Sequence, residues 1–205
     1  MGMFREKSIK RVVLYIHGKG GNAGEAKHYQ PLFPDCDVIG VDYAAQTPWA
    51  AKAEFAKIFD AIAETYASVT IIANSIGAYF TMHALKDRPI ERAYFISPVV
   101  DMEHLITDMM QWANVTEDEL RDKKVIETAF GETLSWDYLC YVRQHPIVWK
   151  IPTRILYGGN DNLTSYETMT QFADGIGASL TVMENGEHWF HTQEQMRFLD
   201  NWIRG

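Results

Sequence analysis

The 205-residue sequence predicts an α/β protein, a three-layer α/β/α sandwich around a mainly parallel six-stranded sheet. Two observations carry that expectation. Short runs such as Val12–Ile16, Val69–Ile72 and Ala93–Ile96 are apolar at successive positions rather than alternate ones. That is the pattern of strands covered on both faces, as parallel strands are. The runs also alternate along the chain with stretches carrying helix start signals and apolar residues at helical spacing, the order of a βαβ protein.

Taken in order, Val12–Ile16 is the first expected strand, and the glycine-rich His17-Gly18-Lys19-Gly20-Gly21 follows it. Val38–Val41 is the second. Thr47 before Pro48 marks a helix start, with Ala51, Phe55, Ile58 and Ile62 sharing one face. The third strand, Val69–Ile72, runs into Ala73-Asn74-Ser75-Ile76-Gly77, and a helix is expected from Ala78 to Leu85. Ala93–Ile96 is the fourth strand. No strand is expected again until Arg154–Tyr157. The stretch between carries a capping box at Thr116–Glu119 and a candidate cap at Ser135 ahead of Trp136–Gln144, so residues 102–146 are expected to form a helical cap over one end of the sheet. After Arg154–Tyr157 come Gly158-Gly159-Asn160-Asp161, a capping box at Thr164–Glu167 and the last strand, Leu180–Met183. Gly186-Glu187-His188 and a capping box at Thr192–Gln195 then lead into a helix with Met196, Leu199 and Ile203 on one face. With no repeat, low-complexity stretch or linker, residues 1–205 are expected to form a single domain.

Composition narrows the function. There are 19 Lys and Arg against 27 Asp and Glu, a formal charge of -8, and no basic cluster, which argues against nucleic acid and anionic membrane as partners. Cys36 and Cys140 form neither a CxxC nor a disulfide framework, pointing to free thiols in a reducing compartment. The first ten residues lack an apolar core, and Val12–Ile16 is too short to span a bilayer, so a cytoplasmic location and no membrane contact are expected. No HExxH or Cys/His cluster suggests a metal, and no cofactor is expected.

The chemistry centres on Ser75. A serine on a sharp strand-to-helix turn is a nucleophile elbow, and small residues two before and two after it relieve crowding there. Ala73 and Gly77 meet that need, with alanine where glycine is usual. Ser179, in Gly177-Ala178-Ser179, precedes a strand and lacks this context. A serine hydroxyl becomes nucleophilic when an oriented base takes its proton and hydrogen-bond donors stabilise the developing oxyanion. Sites on open α/β sheets lie beyond the carboxyl ends of the strands. Asp161 and His188 follow the last two expected strands there, so Ser75, Asp161 and His188 form a candidate triad. The glycine turn after the first strand and the N–H of Ile76 are candidate oxyanion donors.

Four motifs in this order, His17-Gly18-Lys19-Gly20, Ala73-Asn74-Ser75-Ile76-Gly77, Gly158-Gly159-Asn160-Asp161 and Gly186-Glu187-His188, resemble those of the α/β-hydrolase superfamily over nearly the whole chain. The resemblance implies a minimal six-stranded core, Ser75 as nucleophile, Asp161 as acid, His188 as base, and the N–H groups of Lys19 and Ile76 as oxyanion hole. It implies a serine hydrolase acting on a small acyl substrate, with a carboxylic ester as the first expectation and thioester or peptide-amide cleavage as alternatives. Met110, Trp112, Trp136, Tyr138 and Trp189 are expected to line the substrate pocket.

Rival readings exist for several residues. Asp101, after the fourth strand, competes with Asp161 as the acid, and His191 competes with His188. His17 is expected to brace its loop, while His28, His83, His104 and His145 lack partner motifs. Gly18-Lys19-Gly20-Gly21-Asn22-Ala23 also fits the dinucleotide fingerprint, with Asp42 about twenty residues on. Pro31 and Pro34 leave little room for the long helix that fingerprint requires. A non-catalytic binding module on the same scaffold is a further alternative.

Overall fold

The computed structural model describes residues 10–205. The reading of the N-terminal segment therefore lies, for residues 1–9, outside the described residues. The chain forms β1 (Arg11–Ile16), β2 (Asp37–Val41), α1 (Pro48–Ala63), β3 (Ser68–Asn74), α2 (Ser75–Ala84), β4 (Arg92–Ile96), α3 (Met102–Trp112), α4 (Glu117–Lys123), β5 (Val125–Glu127), β6 (Thr133–Ser135), α5 (Trp136–Gln144), β7 (Thr153–Gly158), α6 (Tyr166–Ile176), β8 (Ser179–Met183) and α7 (Gln193–Arg204). Six strands make one sheet in the order β2-β1-β3-β4-β7-β8, with every pairing parallel.

Both faces of the central strands β1, β3, β4 and β7 are buried, which is why they lack alternation, while the edge strands β2 and β8 are only partly covered. Val12, Leu14, Ile16, Ile71, Phe95 and Ile155 point to one side, where α1 contributes Phe55 and Phe59 and α2 contributes Tyr79 and Phe80. Val13, Tyr15, Ile72, Tyr94 and Leu156 point to the other, where α7 contributes Leu199, Trp202 and Ile203. On α1, Ala51 and Phe55 are buried as their spacing predicts, but Phe59 is buried while Ile58 and Ile62 are only partly so. The helix is turned slightly from the face read in the sequence.

The caps follow the sequence closely. Thr47 accepts from the Ala50 N–H, Thr116 from Glu119 and Ser135 from Tyr138, and Thr192 with Gln195 forms a full capping box. At α6 the cap is Ser165, one residue later than expected, because the Thr164 carbonyl is engaged by the Tyr157 hydroxyl at 2.7 Å. Between β1 and β2 the chain makes two 3-10 turns, Ala23–His28 and Gln30–Leu32, in place of an α-helix.

The segment between β4 and β7 holds α3, α4 and α5 and also a two-stranded hairpin of β5 and β6, where no strand was expected. Each hairpin strand has three residues, too few for an alternation signal, and the turn joining them has Gly131 at a φ of 86°. Among the described residues no helix is long and apolar enough to cross a membrane.

Candidate active site

Strand register brings the candidate residues to one edge of the sheet. Ile16 pairs with Ala73, Asn74 with Ile96, Ile96 with Leu156, and Gly158 with Met183. The turns after β1, β3, β7 and β8 therefore leave the same end. The chain reverses its direction of sheet growth at β1, so the β1/β3 crevice is the place where open α/β sheets bind ligands.

Ser75 occupies the first position of α2 with φ at 49°, a left-handed conformation that costs a non-glycine residue of order 1–3 kcal/mol and persists only where surroundings impose it. Two contacts impose it here. The Val99 N–H donates to the Ser75 carbonyl at 3.2 Å. A Cβ on Gly77 would sit 2.2 Å from the His17 carbonyl oxygen, so glycine alone lets the elbow press against the end of β1. The strained turn lifts the hydroxyl out of the sheet edge.

His188 Nε2 lies 2.8 Å from Ser75 Oγ, and its Nδ1 lies 2.7 Å from Asp161 Oδ2. The Asp161 side chain is fully buried, and its other oxygen accepts the Leu163 N–H at 2.8 Å and the Thr164 N–H at 3.2 Å. An ionised carboxylate accepts only, so Nδ1 carries the ring proton and leaves Nε2 free to accept from the serine. The acid and histidine turns can lie this close because Gly158 lacks a Cβ, which would fall 2.4 Å from the Glu187 carbonyl oxygen.

The turn after β1 is closed by the Gly21 N–H donating to the Gly18 carbonyl at 3.2 Å, and Gly20 at its third position has φ of 75°, the geometry of a type II turn. Such a turn leaves the Lys19 N–H unused internally. Ile76 lies in the first turn of α2, where an N–H has no intrahelical acceptor. The Lys19 side chain is drawn away from the serine by an ion pair with Glu132 of the β5–β6 turn. His17 braces the loop: its Nδ1 donates to the Gly18 carbonyl at 2.8 Å, its ring stacks on Tyr43, and its own carbonyl accepts from the Tyr43 hydroxyl.

The rivals sit elsewhere. Asp101 caps α3 through the His104 N–H at 2.9 Å. His191 is bonded to the Trp189 carbonyl and stacked on its indole, not directed at Ser75. The glycine fingerprint leads into a six-residue 3-10 turn, so it lacks the α-helix N-terminus on which a dinucleotide pyrophosphate rests.

Two cavities open onto Ser75. The first, about 830 Å³, lies under the insert and is lined by Met102, Leu105, Ile106, Met109, Trp112 and Phe130, with Tyr138 at its wall. Of the residues expected there, Trp112 and Tyr138 take part, while Met110 and Trp136 do not. Met110 is buried in the core and absent from the cavity wall, while its neighbour Met109 and, one turn earlier, Ile106 line it. Trp136 packs against the core side of the insert, with the Lys124 ammonium 5.9 Å over its ring. The second cavity, about 690 Å³, contains Trp189 together with Tyr15, Glu25 and His188. Sequence reading missed Met109, Phe130, Glu25 and Tyr15. Their place depends on helix phase and on strands whose both faces are apolar, neither of which carries a chemical motif.

No family model and no curated protein matches the chain. Solved structures do. Est1E from Butyrivibrio proteoclasticus superposes with a TM-score of 0.76 at 14% identity, covering 98% of this chain and 88% of that one. α/β-Hydrolase domain-containing protein 10 from mouse gives 0.75 at 17% identity, covering 94% and 87%. The fold is that of the α/β-hydrolases. A thioesterase domain from the curacin biosynthetic pathway shares this hydrolase fold with a TM-score of 0.60 at 16% identity, covering 96% and 92%.

Proposed function

We propose that the protein is a serine hydrolase that cleaves a small acyl substrate, a carboxylic ester first, through an acyl-enzyme. The observation that carries this is the hydrogen-bonded chain from Ser75 Oγ through both ring nitrogens of His188 to the buried Asp161. In this reading His188 Nε2 takes the Ser75 proton as Oγ attacks the acyl carbon, and Asp161 holds the ring in the required tautomer and stabilises the imidazolium. The N–H groups of Lys19 and Ile76 receive the developing oxyanion. Thioester or amide cleavage would use the same atoms. The thioesterase domain among the structural neighbours keeps the thioester alternative in view. Free Cys36 and Cys140 support action in a reducing compartment such as the cytoplasm.

The test is covalent labelling. A fluorophosphonate probe should modify the wild type at Ser75, and Ser75→Ala should abolish both labelling and ester hydrolysis. Equal labelling of the two proteins would refute the assignment.

A further inference from the structure

The two cavities share Gly18, Lys19, Gly20, Ser75 and Leu163, so they meet at the serine. They differ in one residue that decides their roles: His188 lines the second cavity and is absent from the walls of the first. In the serine-hydrolase reading, Oγ bonds to the acyl carbon while its proton passes to His188 Nε2. The acyl carbon–oxygen bond to the alcohol then breaks, and the departing alkoxide takes that proton from Nε2. Water adds in turn, gives a proton to Nε2, and the acid leaves as Ser75 recovers it. The alkoxide must therefore depart on the His188 side, which places the alcohol in the second cavity and the acyl group in the first.

The second cavity has distinctive acceptors. Glu25 accepts from the Tyr15 hydroxyl and from the Asn22 N–H at 3.3 Å. Asn74 Nδ2 donates to the Tyr15 oxygen at 2.9 Å, so the phenol proton is directed at Glu25. A carboxylate offers about four lone-pair sites. Two are used, and the rest remain open on an exposed side chain that lines this cavity. A Cβ on Gly21 would fall 2.9 and 3.0 Å from the two Glu25 oxygens, so the carboxylate lies flat against the turn that carries Lys19. Trp189 lines the same cavity, stacked on His191 with centroids 4.6 Å apart and 71% exposed, an open apolar platform. Lys19, paired with Glu132, and His28, paired with Asp200, also line it, so the acceptor left open to a hydroxyl-bearing guest is Glu25.

We propose that the alcohol released by this enzyme is a neutral polyol of sugar type, with hydroxyls donated to Glu25 and a C–H face laid on Trp189, and that Glu25 is the residue setting this preference. The proposal rests on the serine-hydrolase reading. Three hexanoate esters test it: glucose esterified at its primary hydroxyl, cyclohexylmethyl alcohol of matching ring size, and choline. The glucose ester should exceed the cyclohexylmethyl ester about tenfold in kcat/KM, the worth of one hydrogen bond to a charged acceptor. Hexanoylcholine should rank below the glucose ester. Glu25→Gln should cut the glucose-to-cyclohexylmethyl ratio several-fold, and Trp189→Ala should raise KM for the glucose ester. The wild-type ratio carries the test even where a variant fails to fold. Equal or inverted rates for the two ring esters, a preference for hexanoylcholine, or an unchanged ratio in a folded Glu25→Gln protein would overturn the proposal. Hydrolysis that survives in Ser75→Ala, or a Ser75 that takes no fluorophosphonate, would instead remove the hydrolase reading beneath it, whereas a labelled Ser75 with cleavage of none of the three esters would overturn the sugar-ester proposal alone.

Discussion

Replacing Asp161 by asparagine removes one charge and almost no volume, and the hydrogen bonds around the side chain set the cost. Both backbone donors to this side chain, from Leu163 at 2.8 Å and Thr164 at 3.2 Å, reach Oδ1, which an asparagine keeps as its carbonyl oxygen. The amide nitrogen then stands where Oδ2 meets His188 Nδ1 at 2.7 Å. A donor facing that nitrogen forces it to become an acceptor, so the ring proton moves to Nε2 and points at Ser75 Oγ. The base is then in the wrong tautomer. Loss of about 10⁴-fold in kcat is expected, equivalent to about 5.5 kcal/mol in the barrier. Stability should fall by only about 1–2 kcal/mol, because the loop bonds survive. Steady-state hydrolysis of an activated ester, beside thermal melts, measures both. Asp101→Asn is the matched control: Asp101 caps α3, asparagine caps a helix as well as aspartate, and activity should hold within a few-fold. If Asp101→Asn is crippling and Asp161→Asn is mild, the acid lies on the other loop and the reasoning fails.

Groups outside the candidate triad give two more expected outcomes. His83 is pushed down to about 4, first by burial and then by the charges of His145, Lys86 and Lys52, so the folded state holds it neutral while the unfolded chain protonates near 6.5. The unfolded state thus binds more protons between those values. Stability from this site is fully present above pH 6.5 and is lost as pH falls towards 4, by about 1–2 kcal/mol once solvent screening of this part-exposed ring is allowed for. Denaturant melts across that window should show a shallower slope in His83→Gln; an identical slope would mean that His83 does not titrate as argued. In the insert, Met109→Ala should alter the ranking of acyl chain lengths, since Met109 faces the first cavity, whereas buried Met110→Ala should lower stability by about 2–5 kcal/mol with the ranking kept. A reversal of these two effects would show that the phase of α3 has been misread.

The amino-acid sequence alone determined the layered parallel architecture, because burial on both faces leaves a run of apolar residues in the four central strands, β1, β3, β4 and β7. Helix starts were equally local: Thr47, Thr116, Ser135 and Thr192 cap where their side chains can reach an N–H three residues on. Ser75, Asp161 and His188 were legible as turn residues after strands, since the need for small residues at tight turns is written beside them. Three things waited on the tertiary structure. Strand order and register decided that those turns share one edge, through pairings between residues far apart in the chain. Packing along α3 decided that Met109 and not Met110 lines the cavity, since Met110 is buried against the core deeper in the insert while Met102 and Ile106 are both buried and at the wall. And the network of Asn74, Tyr15 and Glu25 came from the packing of β1 against β3 and the first crossover, where an apolar strand pattern conceals a phenol whose hydroxyl reaches the site.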